Sequence, residues 1–185
     1  MIQAEGFENA SVAKVAKQAG VHPSLIIHYF GSKEAMVKKL VDRVLKVYGA
    51  LFLELPQGGD PRERLERMLS LIWSRRWHEA ASFSVVFSFL ALSQRDDDVM
   101  ERVKNLYSQY RRYLEVELQA FEEAGVIRVA DLHGAAEALV TLSEGSHYFS
   151  QYHVDENAFD CHCQTMISAA KAILGVDANE MRQQP

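Results

Sequence analysis

The 185-residue sequence predicts an all-α protein in which a small N-terminal helix-turn-helix module joins a larger helical bundle. Three observations predict it. Residues 7–41 read as two short helices across a glycine turn, followed by the start of a third. Residues 99–123 carry Val103, Leu106, Tyr110, Leu114, Leu118 and Phe121 at a sustained three/four spacing, the period of one buried helix face. Apolar residues make up 48% of the chain against only four prolines, which suits a filled helical core.

Taken in order, Ser11 is a good N-cap for a helix whose Val12, Val15, Ala16 and Ala19 form one apolar stripe. Gly20 supplies the left-handed residue that stops it, and Pro23 opens the next helix at N1, where its missing N–H costs nothing. In that second helix Val21, Ile26, Tyr29 and Phe30 can point inward, leaving His22, Ser24, Ile27 and His28 outward. Gly31 ends it, and Ser32 caps a third helix that runs to about Phe52.

Residues 55–61, with two glycines and two prolines, are the clearest breaker. Asp60 and Pro61 then open a helix expected to bury Leu65, Met68, Leu69, Ile72 and Trp73 and to end near His78. Residues 83–92, apolar nearly all round, read as a helix buried on every side. A polar turn at 95–98 precedes the long helix to Glu123, which Gly125 stops. Asp131 and Asp155 cap two last helices, ending near Tyr152 and Gly175, and the tail beyond is expected to fray. The expected division is a module at 1–50 and a bundle at 51–185.

A helix, a glycine turn and a second helix with a polar outer face form the pattern that lays its second helix in the major groove of DNA. The residues Gly6-Phe7, Ala10-Ser11-Val12, Val15-Ala16, Ala19-Gly20-Val21, His28-Tyr29-Phe30 and Ser32-Lys33-Glu34 resemble, in order and spacing, the TetR family of bacterial transcription regulators. The resemblance implies double-stranded operator DNA as partner, contacted through Ser11, His22, Pro23, Ser24, Ile27, His28 and Lys33. Two positions depart from the family: Pro23 and Ile27 stand where Lys and Tyr are frequent, and both are phosphate partners lost. Chemically, Lys33 and the N–H groups of its helix start suit a phosphate, and His28 and Ser24 can donate to one, while Leu25 and Ile27 offer only apolar contact, for instance to a thymine methyl. His28 also fits a partly buried histidine satisfied by backbone. Family members carry a long first helix packed across the helix-turn-helix; only residues 1–5 precede Gly6 here, so the expectation is that most of that helix is missing and the module less stable.

The net charge of −5 is unevenly placed, with seven Lys/Arg against four Asp/Glu in residues 1–50 and an acidic excess after them. The helix-turn-helix end is therefore the positive end, as phosphate contact requires. No apolar run approaches membrane-spanning length and no secretory pattern opens the chain, so a cytoplasmic protein is expected. Cys161 and Cys163 project about 200° apart on one helix, so they neither bridge nor share an ion with His153 or His162. No metal, cofactor or catalytic group is expected, and no enzyme motif is present.

Trp73, Trp77, Phe83, Phe87, Tyr107, Tyr110, Phe121, His147 and Tyr148 form an aromatic set with a few polar tips, suited either to simple core filling or to a pocket for a small hydrophobic or aromatic effector. The resemblance favours the pocket. Ala135, Ala138, Leu139 and Leu142 on one late helix and Met166, Ile167 and Ile173 on the last supply small and apolar residues, suited to packing within the chain or against a second copy; the resemblance favours a homodimer. The combined expectation is a ligand-responsive repressor released from its operator by effector. Its rival is a dimeric small-molecule-binding module that has lost DNA binding.

Overall fold

In the computed structural model, residues 11–80 and 82–176 are described. Expectations for residues 1–10 and 177–185, the missing first helix and the frayed tail among them, lie outside the described residues. The described chain forms helices α1 (Val12–Ala19), α2 (Pro23–Phe30), α3 (Lys33–Glu54), α4 (Pro61–Ile72), α5 (Arg75–His78), α6 (Phe83–Ser93), α7 (Asp97–Glu123), α8 (Leu132–His153) and α9 (Phe159–Ile173). They fall into two compact units. One comprises the chain up to Leu53 together with Glu79–Tyr107; the other comprises Glu54–His78 and the chain from Ser108 onward.

In the first unit, caps set the boundaries that the sequence announces. Ser11 Oγ accepts the Lys14 N–H at 3.1 Å, and Gly20, at φ +67°, turns the chain so that the Val21 N–H returns to the Ala16 carbonyl at 2.9 Å. Ala16, Ile26 and Met36 then close a small core, with Val12, Val15, Val21 and Phe30 packed around it. Ala19 and Tyr29, both expected inside, are exposed. Phe30 alone completes the inward face at that end of α2, and Tyr29 stands against it edge-on with ring centroids 4.8 Å apart.

Charge also ties this unit together. Lys38 on α3 reaches Asp98 at 2.8 Å and Asp96 at 3.5 Å, and Arg102 on α7 pairs with Asp42 and Asp98. Each of these pairs is partly exposed and individually weak. Asp96 also caps α7, its Oδ1 accepting the N–H groups of Asp98 and Val99. A cavity of about 210 Å³ lies beside the network, lined by Val37, Lys38, Leu92, Arg95 and Asp96 among others. α6 is a helix as expected, but Phe87 is exposed, so it is not buried on every side.

In the second unit Asp60 Oδ1 accepts the N–H groups of Arg62 and Glu63, both at 3.0 Å. The helix this starts does not run unbroken to His78. Ser74 interrupts it: its Oγ donates to the Leu71 carbonyl at 2.7 Å and accepts the Trp77 N–H at 3.2 Å, closing α4 and starting α5. α9 packs on α8 and on α4, and Lys171 pairs with Glu66 at 2.7 Å. Arg64 and Glu117, both nearly buried, approach to 2.9 Å, and the Arg64 guanidinium lies over the Phe121 ring at 5.0 Å. Neither the Arg64 Nε nor the Glu117 Oε2 forms an aligned hydrogen bond there, so the pair is held by charge. The chain after α9 is fixed at Gly175, where φ is +63° and a Cβ would lie 2.3 Å from the Arg128 carbonyl oxygen. Asp131 precedes α8 without a side-chain cap bond, whereas Asp155 accepts the Ala158 N–H at 2.8 Å.

Candidate functional site

The outer face of α2 is built from its first residue. His22 precedes the helix, and its Nδ1 receives the Ser24 backbone N–H at 3.3 Å and lies 2.8 Å from the Ser24 Oγ. A backbone N–H can only donate, so Nδ1 carries a lone pair and the neutral ring holds its proton on Nε2. His22 is thus a helix cap on one side and a fixed donor on the other. Pro23, Ser24 and His28 are exposed, which removes the partly buried alternative for His28.

Between them the helix shows apolar surface, with Leu25 54%, Ile27 43% and Tyr29 80% exposed. Tyr29 is the residue that sequence reasoning placed inside. Its phenol adds a donor to the same surface, and only the neighbouring Phe30 distinguishes an inward from an outward ring at that end of the helix. Ser11 is occupied as the α1 cap. Lys33 is half-buried at the start of α3, whose first turn also holds Glu34. The Glu34 backbone N–H and the Ser32 hydroxyl keep the Glu34 carboxyl below its ordinary range. A carboxylate therefore already sits in the positive field of that helix start, and attraction for a phosphate there rests on the Lys33 ammonium.

The second unit gathers several members of the aromatic set. Trp77 lies against Tyr110 with ring centroids 5.7 Å apart, and the Tyr110 hydroxyl donates to Ser143 Oγ at 3.4 Å. One turn along α8 from Ser143, His147 faces His78 at 5.3 Å, and His78 meets Phe159 edge-on at 5.1 Å. Trp73, Trp77, His78, Tyr110 and His147 are all buried. Burial raises the Tyr110 phenol, and burial together with His78 pushes the His147 imidazole down to about 4, so His147 is neutral at pH 7. Phe121 belongs elsewhere: it lies about 16 Å along α7 from Tyr110 and packs under Arg64. Phe83, Phe87 and Tyr107 belong to the first unit, where the Phe83 and Phe87 rings meet at a tilt with centroids 4.3 Å apart. His78 escaped the sequence reading, since nothing local links it to a histidine on α8.

Of the residues expected at a dimer contact, Ala135, Leu139 and Ile167 are buried within the chain. Ala138, Leu142 and Met166 are half-buried and Ile173 exposed. The outward stripe of α8 runs Ala138, Leu142, Gly145, Phe149, Tyr152, with Phe149 66% and Tyr152 74% exposed. Cys161 is exposed and Cys163 buried on the same helix, and His162 Nε2 lies 2.9 Å from Ser146 Oγ. Among the described residues no group of three or more His, Cys, Asp or Glu could hold a metal ion, and no helix is long and apolar enough to cross a membrane.

A capped helix-turn-helix with an exposed second helix, followed by further helices carrying a buried aromatic cluster, defines a helix-turn-helix transcription regulator. Residues 1–40 match the bacterial regulatory proteins of the tetR family, and residues 60–176 match the tetracyclin repressor-like C-terminal domain. The chain belongs to the TetR family of DNA-binding transcriptional regulators, which are transcription factors and not enzymes. It is 28% identical over 136 residues to the HTH-type transcriptional regulator BetI of Brucella abortus, covering 70% of this chain and 67% of the relative. Its fold is similar to that of a TetR transcription regulator from Haloarcula marismortui, with a TM-score of 0.78 at 16% identity over 94% of this chain and 92% of the other. It is also similar to that of a transcriptional regulator from Saccharomonospora viridis in complex with choline, with a TM-score of 0.74 at 20% identity over 90% of this chain and 88% of the other.

Proposed function

We propose that the protein is a cytoplasmic, homodimeric repressor that reads operator DNA with α2 and is released by a small hydrophobic or aromatic effector bound among the aromatic residues of its larger domain. The observation that carries the DNA reading is His22, held by Ser24 with its Nε2–H directed away from the helix it caps. An acceptor on a guanine edge or a phosphate oxygen suits that donor. His28, Ser24 and Tyr29 surround it with further donors, and Leu25 and Ile27 suit thymine methyl groups. This exposed, preorganised face favours a DNA reader over a module that has lost DNA binding.

The outward stripe of α8 with Met166 and Ile173 of α9 is the surface a second copy would cover, because Gly145 lies in its middle and a Cβ there would meet nothing within 4 Å among the described residues. Glycine inside a helix costs about 1 kcal/mol relative to alanine, a cost that close helix approach between copies would offset. The effector would shift an existing equilibrium between two arrangements of the reading helices, one of them unsuited to the operator.

A second effector class is favoured by one observation: the Saccharomonospora viridis neighbour holds choline. Trp77, Tyr110 and a neutral His147 would accept an organic cation without repelling it.

The test is fluorescence anisotropy of labelled DNA from upstream of the coding region, titrated at several salt concentrations with and without choline. Salt-dependent binding to that DNA over a scrambled duplex is expected, and equal weak binding to both would reject the repressor.

A further inference from the structure

We infer that the buried imidazole pair His78 and His147 selects an effector carrying a neutral hydroxyl group on an aromatic body, a phenol rather than a carboxylate or a pure hydrocarbon. The inference rests on the reading that an effector binds among the aromatic residues of the second unit. Its own support is a set of polar atoms that the core leaves unmet. Both ring nitrogens of His147 and the Trp73 Nε1–H are buried and find no hydrogen-bond partner among the described residues. A buried nitrogen left unmet is costly, and an imidazole with both of its nitrogens so placed requires an account.

The protonation states narrow what can meet them. His78 Nδ1 lies 3.0 Å from the Ser74 carbonyl oxygen, which can only accept, so the His78 proton is on Nδ1 and its Nε2 carries a lone pair. His147, 5.3 Å away between centroids, offers one N–H and one lone pair in either tautomer. The two imidazoles therefore present donor and acceptor side by side. A hydroxyl is neutral and has one proton to give and lone pairs to receive, so it answers both.

A carboxylate only accepts, and it would require a charged imidazole, which burial and the neighbouring His78 disfavour. Arg75 is no help to it, since its guanidinium lies over the Phe159 ring at 4.4 Å and is paired with Glu156 at 2.5 Å. A hydrocarbon would leave the nitrogens as they are. The ring of a phenol would meet Trp77, Tyr110 and Phe159, which prefer edge and offset contacts.

The two tryptophans of the chain are Trp73 and Trp77, both buried in the second unit, so indole fluorescence reports on that unit. The full-length protein is titrated with phenol, toluene and benzoate, exciting at the red edge of indole absorption. Phenol is expected to quench or shift the emission saturably and to bind roughly tenfold or more tightly than the other two. In His147→Leu that preference is expected to vanish, with phenol and toluene alike. In His147→Gln, which keeps a donor and an acceptor, much of it should return. Circular dichroism checks that both variants fold.

Equal binding of phenol and toluene to the wild type overturns the hydroxyl assignment while leaving an aromatic effector site in place. Tighter binding of benzoate does the same in favour of anions. If no probe perturbs the emission, the aromatic effector reading and this inference fall together, and His147 is satisfied by structural water.

Discussion

The Ser24 N–H and hydroxyl both converge on Nδ1 of His22, at 3.3 and 2.8 Å, and so decide which nitrogen His22 shows to solvent. If Nε2–H contacts a base edge, His22→Ala should cost about 1–3 kcal/mol of operator affinity and relax preference at one base pair. Ser24→Ala leaves the backbone donor in place and should cost less. Lys33→Gln should instead weaken all sequences alike and lower the salt slope by about one. Anisotropy titrations over a salt series with single-base operator variants separate the two behaviours.

Acid should destabilise the protein through His147. Its folded pKa is lowered from 6.5 to about 4, so the unfolded chain takes up a proton between those values while the folded chain does not. Stability is then full above about pH 6.5 and falls as pH drops toward 4, by up to about 3 kcal/mol. His147→Phe should flatten that part of the profile. Urea unfolding of both proteins from pH 7.5 to 4 measures it.

Arg64 and Glu117, nearly buried at 2.9 Å, should be intolerant of losing one partner. Glu117→Ala strands the guanidinium and should cost about 3–5 kcal/mol. The double variant Arg64→Met with Glu117→Leu should recover most of the loss, because an apolar pair of similar volume has no charge to desolvate. Thermal melts of the two variants against wild type show whether the pair behaves so.

Gly145 separates helix stability from self-association. Gly145→Ala should favour the helix by about 1 kcal/mol, since the added Cβ meets nothing among the described residues. Gly145→Trp should preserve the fold of one copy yet raise the dimer dissociation constant by tenfold or more if α8 packs on a second α8. Sedimentation velocity across a concentration series, with circular dichroism as the folding control, decides it.

Much of the first unit was legible because its signals are local. Ser11, Gly20, Pro23, Gly31 and Ser32 each act within one turn of their own position, so the boundaries of α1 and α2 follow from their chemistry. The long α7 was legible from its apolar spacing. The break at Ser74 was not, because the apolar spacing runs through it and only the hydroxyl's bonds to Leu71 and Trp77 end one helix and start the next. Tyr29 was misread for a related reason: adjacent large rings on a short helix compete for one inward place, and periodicity does not say which wins.

By itself, then, the sequence determined the all-helical class, the helix-turn-helix and the family, because spacing and caps are properties of neighbouring residues. The tertiary structure alone decided what the outward faces carry and which distant groups meet. His78 and His147 are unremarkable in their own helices. Only packing brings the two imidazoles together away from water, and that burial turns two ordinary side chains into a donor and an acceptor with specific demands.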